Sequence, residues 1–257
     1  MCGRDEDDGM SVELINVRAV SGVTACFTTR AGGVSTGSWT GLNLGSTTGD
    51  DPHAVRENRQ RLCASAGVDA ERATLGAQVH GASVRMIDAP SSPGRFTGAL
   101  SGWPEGDGLV TGRPGIALVV LGADCLPVLL WRQDEPRIAA AHAGWRGLVD
   151  GVLANIVESL GNASQTCAAI GPGVGACCYP VEAALRVRFA DRFGAETVQG
   201  EAVDLTTATQ IALAEAGVTQ VTSVGECTSC NPERFYSYRR DGARTGRHGG
   251  LIAIEAA

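Results

Sequence analysis

The segments "GIALVVLGA" (115–123), "CLPVLLW" (125–131) and "RIAAAHA" (137–143) constrain the fold of this chain most. Each is apolar almost throughout and far too short to cross a membrane. Runs of this length and composition are strands, and an unbroken apolar run needs cover on both faces of its sheet. Strands of this kind belong to an α/β domain with helices packed over the sheets.

The rest of the chain fits that frame. "GVTACFTTR" (22–30), "TLGAQVH" (74–80), "SVRMI" (83–87), "CAAIG" (167–171), "VTQVTSVG" (218–225) and "LIAIE" (251–255) read as further strands. Helices are expected at "DPHAVRENRQRLCASAG" (51–67), "RGLVDGVLANIVESLG" (146–161), "PVEAALRVRFADRFG" (180–194) and "LTTATQIALAEAG" (205–217). The first carries Asp51 as N-cap, Pro52 at the first helical position and Gly67 beyond its end. The second repeats apolar residues from Leu148 to Leu160 at helical spacing and stops at Gly161. The segment 31–51 holds six glycines before Asp50 and reads as a functional loop. A second long loop precedes Leu109. With no repeat and no Pro-rich linker, residues 11–257 read as one domain of mixed β-sheet layers covered by helices.

Charge and composition remove several function classes. The net charge of −7 and a pI near 5.1 leave no basic footprint for nucleic acid and no attraction to an anionic membrane. The opening "MCGRDEDDGM" (1–10) is acidic and lacks the apolar centre of a signal peptide. It reads as a disordered leader, with Met10 as an alternative start, and the compartment expected is the cytoplasm. Nine cysteines in a chain this long do not form a disulfide framework. Most are expected to be small buried hydrophobes, and "CTSC" (227–230), without a second pair, to be a pair of bland thiols rather than a zinc knuckle.

Reactive side chains recur where strands stop. "QVHG" sets His80 before Gly81, "GADCLP" sets Cys125 after Asp124, and "AAAHAGWRG" sets His142 before Gly144. Small neighbours let a backbone or ligand come close, and strand ends are where α/β proteins build sites. Two histidines and a cysteine suffice for a catalytic zinc site with an open fourth position, and the same donors suit copper. Cys125 as nucleophile with His142 as its base is an alternative chemistry from the same residues. Each residue alone reads more readily as a packed side chain, and it is the recurrence of the pattern in all three that favours a site. His53, in the first turn of a helix, reads as exposed, and His248 as a loop residue. Arginines beside glycine loops, Arg146 and Arg247 among them, suit phosphate or carboxylate recognition.

"FTTRAGGVS", "GLNLG", "QVHGASV", "ADCLPVLL", "AAAHAGWRGL", "IGPGVGACCYPV" and "CTSCNPERFYSYRRDG" occur in this order. Together they resemble the multicopper polyphenol oxidase (laccase-like) or YfiH family over nearly the whole chain. The resemblance implies a single α/β domain of the cysteine-hydrolase type, with zinc on His80, Cys125 and His142. It also implies phosphorolysis of adenosine, inosine and methylthioadenosine, with adenosine deamination as a second activity. Copper and phenol oxidation are the family's older attribution. A trinuclear cluster plus a blue-copper site would need about ten histidines, and this chain has four. A single His₂Cys copper site with weak phenol oxidation remains compatible with the donor set.

Three departures from the family pattern stand out. Tyr179-Pro180-Val181 replaces a usual Tyr-Glu-Val, so that Glu182 would have to stand in for the missing carboxylate. "FYSYRR" replaces "FFSYRR", and the turn "DGARTGR" is one residue longer than usual. In the reaction so implied, Asp107 is the expected proton shuttle. Asp124 is the other candidate, though on an extended strand it would face away from Cys125. Arg146 and Arg247 are expected to hold phosphate, with Asn43 and Arg59 near the Gly-rich loop. Gly144 gives room for a turn, Trp145 walls the pocket and stacks on a base, and Gly147 lets the next helix start close by. The expected ligands are a nucleoside and phosphate. A metal-free Cys-His amidase acting on cell-wall precursors and a non-catalytic binding protein are the competing readings.

Overall fold

The structure, a computed structural model, describes residues 11–89, 95–98 and 102–256. The acidic segment 1–10 and parts of the loop before Leu109 lie outside the described residues. The chain opens with β1 (Leu14–Asn16) and β2 (Val23–Thr28), then α1 (Pro52–Ala66). Five strands follow β3 (Ala73–Thr74): β4 (Val84–Met86), β5 (Gly108–Thr111), β6 (Ala117–Gly122), β7 (Leu126–Arg132) and β8 (Ile138–Ala143). Next come α2 (Trp145–Val149), α3 (Val152–Leu160), β9 (Thr166–Ile170), α4 (Ala183–Phe193) and the small pair β10 (Val198–Gln199) and β11 (Ala202–Val203). The chain finishes with α5 (Leu205–Glu215), β12 (Gln220–Ser223), α6 (Tyr238–Asp241) and β13 (His248–Ile254).

Two mixed sheets result. One has the order β1-β2-β13-β6-β3 and the other β12-β9-β7-β8-β5-β4. Side-chain parity stacks them. Leu129 and Trp131 of β7 meet Phe27, Leu118, Val120 and Ile252 of the other sheet. Their alternates, Leu126, Val128 and Leu130, turn outward onto Leu153, Ile156 and Leu160 of α3 and Leu213 of α5. On the far face of the first sheet, Val119 and Leu251 pack on Leu62 and Cys63 of α1. The order of layers is therefore helix, sheet, sheet, helices. This is why the central runs are apolar on both faces, with about 1.5–3 kcal/mol from each large side chain so buried.

α1 begins and ends as its sequence dictates: the Asp51 carboxylate accepts the His53 N–H at 2.9 Å, and Gly67 takes a left-handed φ of +67°. Three expectations need correction. The helix expected over 146–161 is two helices, broken at Gly151, whose φ of +89° is cheap only for glycine. The apolar stripe survives the break because both pieces lie on the same sheet. The strand expected over 74–80 shrinks to β3, because the N–H groups of Val79, His80 and Gly81 bond a side-chain carboxylate instead of a neighbouring strand. His248, expected on a loop, is a fully buried member of β13. Among the described residues, no helix is long and apolar enough to cross a membrane.

Candidate metal centre

His80, Cys125 and His142 converge although 62 residues of sequence separate the outer two. One ligand atom from each lies within 4.8 Å of the others. His142 ends β8, Cys125 stands in the turn that leads into β7, and His80 sits in the loop after β3. The two imidazole rings meet edge to face with centroids 4.9 Å apart. His142 is buried and His80 exposed, so the trio spans from the core to the surface.

Asp107 holds this arrangement. Its carboxylate bonds His142 Nδ1 at 2.8 Å and accepts backbone N–H groups from Val79 (3.1 Å), His80 (3.0 Å) and Gly81 (2.8 Å). The Asp107 carbonyl accepts the His142 N–H at 2.8 Å. One residue thus places the ring of one ligand and the backbone of another. With Nδ1 engaged, Nε2 of His142 is left for a ligand, the usual carboxylate–histidine–metal arrangement. The His80 backbone, at φ +62°, is the left-handed turn that lets three successive N–H groups face one carboxylate.

Glycine makes the room. A Cβ on Gly144 would lie 2.9 Å from Cys125 Sγ and 3.2 Å from His80 Cδ2. One on Gly147 would lie 2.7 Å from the Gly81 carbonyl oxygen. Gly144 therefore clears space for the ligand trio itself, beyond the turn expected of it.

The charges follow from the geometry. Burial opposes a Cys125 thiolate, but His142 and His80 outweigh it and bring the thiol down to about 6. Burial opposes an imidazolium at His142, but Cys125 and Asp107 outweigh it and push the ring up to about 9. Burial also works against the Asp107 charge, yet its bonds from His142, Gly81 and Val79 hold the carboxyl below the usual range. Without an ion, Cys125 is held as a thiolate beside a protonated His142; an ion taking Nε2 would displace that proton, leaving one thiolate and two imidazoles, a set that zinc or copper accepts.

A cleft of about 990 Å³ opens over the trio. Trp145, Arg146, Tyr179, Tyr238, Arg239 and Arg247 line it. Arg146 lies over the Trp145 ring, 4.7 Å from its centroid, and among the described residues its guanidinium has no hydrogen-bonded partner. Arg247 reaches the cleft but gives Nη1 to the carbonyls of Thr245 and Gly246. Arg59 also borders it, buried, with Nε on Leu44 O and Nη1 on Phe96 O. Asn43 is fully buried: its amide bonds Thr48, Gly45 and Asp50 and receives the Arg247 N–H at 2.8 Å, so it shapes the wall behind Arg247.

The two candidate carboxylates have different surroundings from those expected. Asp107 is fully buried behind His142 and is not among the residues lining the cleft. Asp124 is not on an extended strand: at φ +105° it turns its carboxylate onto Thr228 Oγ1 (2.7 Å) and the Arg239 N–H (2.6 Å). Glu182 lines an adjoining groove with Pro180 and Arg186, which shares Trp145, Tyr179 and Arg239 with the cleft, and is not itself among the residues lining the cleft.

A family model described as multi-copper polyphenol oxidoreductase laccase matches residues 24–255. The chain belongs to this family. A purine nucleoside phosphorylase of Pseudomonas aeruginosa is 38% identical over 251 residues, covering 91% of this chain and 94% of that protein. The Escherichia coli purine nucleoside phosphorylase YfiH is 37% identical, covering 90% and 93%. Among solved structures, a Neisseria meningitidis protein of the DUF152 family superposes with a TM-score of 0.83 at 33% identity, covering 95% and 99% of the two chains. YlmD of Geobacillus stearothermophilus gives 0.82 at 31%, covering 92% and 93%. Only two of the four histidines stand in this family member's trio; His53 is exposed on α1 and His248 is buried in β13.

Sequence reasoning missed two things. Arg239, Tyr179 and Tyr238 border the cleft, and only Arg239 stood out in the sequence, as one of several arginines near its end. The second is the fate of "CTSC". A second pair does stand beside it, Cys177-Cys178, which the fold brings within reach, and none of the four is buried core.

Proposed function

We propose that this chain is a zinc-dependent purine nucleoside phosphorylase that cleaves adenosine, inosine and methylthioadenosine, with adenosine deamination as a second activity. The observation that carries the reading is the Asp107-oriented trio of His80, Cys125 and His142 opening into a cleft with an uncommitted arginine. The names of the curated relatives support the same reaction class. A low-lying thiolate and an imidazole whose far nitrogen is fixed by a carboxylate fit a zinc ion with an open position. When bound, zinc would supply Lewis-acid polarisation of a water or substrate oxygen.

The chain's own residues do the rest. In phosphorolysis a phosphate oxygen bonds to C1′ of the ribose as the N-glycosidic bond breaks, and the purine leaves with the bonding pair and takes a proton. Arg146 holds the phosphate, with Arg247 deeper in the cleft and Arg59 behind it neutralising charge from a distance. Trp145, with Arg146 over its ring, and Tyr179, with Arg239 over its ring at 4.8 Å, wall the cleft where the purine sits, each with a second face left to a base. Asp107 keeps the His142 proton on Nδ1 and so keeps Nε2 free for the ion. Copper in the same trio would give the weak phenol oxidation of the older family attribution.

A second reading has its own support. The thiol held at about 6 beside an imidazolium is the charge state of a Cys-His nucleophile. One experiment separates the two: purified protein is assayed for purine release from inosine with and without phosphate, alongside His142→Ala, with metal counted by mass spectrometry. Phosphate-dependent formation of ribose 1-phosphate, lost in His142→Ala together with one zinc, supports the phosphorylase. Activity that survives complete removal of zinc and stops on alkylation of Cys125 moves the assignment to the Cys-His hydrolase.

A further inference from the structure

A second group of metal-ligating side chains stands apart from the trio and shares no residue with it. Cys177 and Cys178 follow β9 in "GVGACCYP", and Cys227 and Cys230 follow β12 in "CTSC". Their four Sγ atoms all lie within 4.8 Å of one another. Cys230 Sγ is 3.6 Å from that of Cys177 and 3.4 Å from that of Cys178. For a zinc–sulfur bond of about 2.3 Å, the edge of a tetrahedron of thiolates is about 3.8 Å. The two Cys230 separations are close to that edge. An iron–sulfur cluster inserts sulfides between its thiolates and holds them farther apart than a single ion does.

The backbone has the form of a metal-binding knuckle. The Gly175 N–H donates to Cys227 Sγ at 3.2 Å, and the Cys230 N–H turns back on the same sulfur. The sulfurs are brought together by contacts that do not involve them. Gly173 pairs with Cys227 as a parallel bridge, the Thr228 N–H donates to Gly173 O at 2.9 Å, and Asn231 Nδ2 donates to Cys227 O at 2.8 Å. Gly175 has no room for a side chain: its Cβ would lie 3.2 Å from Cys177 Sγ and 3.3 Å from Cys227 Cβ.

We propose that Cys177, Cys178, Cys227 and Cys230 form a tetrathiolate zinc site, separate from the His80/Cys125/His142 centre. Four soft, closed-shell donors in tetrahedral spacing with no carboxylate or imidazole among them fit a structural ion with no open position. Its place in the fold gives it a task. Tyr179, next to Cys178, lines the cleft, and Thr228, inside the C-x-x-C turn, hydrogen-bonds Asp124 beside Cys125. The ion would clamp the segment of the cleft-lining Tyr179 to the turn whose Thr228 holds the cleft-lining Asp124, two segments about fifty residues apart in sequence. Loading it releases the thiol protons, and no oxidant or reductant takes part.

The test uses the full-length chain carrying His80→Ala and His142→Ala, so that the first centre cannot contribute. The protein is reduced, stripped of metal under anaerobic conditions and titrated with cobalt(II). One equivalent should bind with the strong sulfur-to-cobalt charge-transfer and visible bands of a tetrahedral tetrathiolate, and one equivalent of zinc should bleach them. Cys227→Ser should weaken zinc binding at least tenfold and shift the bands to those of a three-sulfur site. Because that variant could fold poorly, untreated wild-type protein is also examined by native mass spectrometry and thiol reactivity. Zinc retained, with these four thiols reacting only after a chelator is added, is the expected result. A spectrum with no cobalt–thiolate bands, iron in place of zinc, or a mass two hydrogens light from a Cys178–Cys230 disulfide would overturn the proposal.

Discussion

The Asp107 carboxylate and the His142 imidazole share a buried hydrogen bond of 2.8 Å, and the same carboxylate collects the N–H groups that fix the His80 turn. Two of the three ligands in the centre are therefore set by one side chain that does not itself reach the cleft. Asp107→Asn keeps the shape but loses the charge and turns an amide N–H₂ toward backbone donors. Loss of such an outer partner costs roughly 10–100-fold in metal affinity. The expected result is zinc binding at the trio weakened by that range, with a drop in unfolding stability of about 1–3 kcal/mol from the unsatisfied donors. Competition with a chromophoric chelator and denaturant unfolding measure the two effects. Unchanged affinity would separate Asp107 from the centre.

Gly144→Ala isolates sterics from everything else. The Gly144 backbone has φ −85° and ψ 167°, which any residue adopts, so a methyl group adds no backbone strain. It would press on Cys125 Sγ from 2.9 Å. Overpacking of this kind costs about 1–3 kcal/mol, which as affinity is roughly 5- to 150-fold. The expected variant folds, with an unchanged far-ultraviolet circular dichroism spectrum, and binds zinc at the trio weakly. Full affinity in Gly144→Ala would mean that the trio does not gather around an ion at this point.

Much of this was legible in the sequence, for identifiable reasons. The runs 115–123, 125–131 and 137–143 became β6, β7 and β8 because unbroken apolarity has one good solution, a strand covered on both faces. α1 was legible because Asp51, Pro52 and Gly67 are local signals, each acting within one turn. Residues 74–80 were not, since the partner that draws their N–H groups away, Asp107, lies 27 residues beyond His80. The break at Gly151 hid inside an apolar stripe that both helices continue. The trio could be singled out because each member reads as a strand end beside small residues, although His80 stands in the loop after β3, Cys125 in the turn before β7, and His142 alone lies on a strand. The four-cysteine cluster could not, because its pairs are about fifty residues apart and only the packing of β12 alongside β9 brings them together. The same holds for Asp124, whose role rests on Thr228 across 104 residues.

His248 predicts a pH dependence of stability. It is fully buried in β13, its ring nitrogens make no well-formed hydrogen bond although the Pro172 carbonyl lies nearby, and its ring lies 5.5 Å from that of Phe235. Burial, reinforced by Arg247 and only partly offset by the Pro172 carbonyl, pulls its pKa down from 6.5 to about 3. Between those values the unfolded chain binds a proton that the folded chain refuses, so stability falls as pH drops below the unfolded value. The slope for one proton is about 1.4 kcal/mol per pH unit. His248→Leu removes this site, and its fixed packing cost cancels when the pH dependence of the difference is taken. The stability of the variant minus that of wild type should be flat above pH 7 and rise by that slope below about pH 6. A pH-independent difference in denaturant unfolding would show the ring protonated, or exposed, in the folded state.

Arg146 tests the proposed phosphate site. It is the cleft arginine whose guanidinium has no hydrogen-bonded partner among the described residues, whereas Arg247 and Arg59 already serve carbonyl groups. A hydrogen bond to a charged group contributes about 1.5–3 kcal/mol, so Arg146→Ala should raise the KM for phosphate roughly 10- to 150-fold. Arg146→Lys keeps the charge without the bidentate fork and should fall between the two. Metal content and binding of the nucleoside alone should not change, because Arg146 touches neither the trio nor Asp107. Phosphate kinetics at saturating inosine, with zinc counted on the same samples, checks both variants against wild type. A KM for phosphate that stays at the wild-type value, or a parallel loss of zinc, would place the phosphate elsewhere in the cleft.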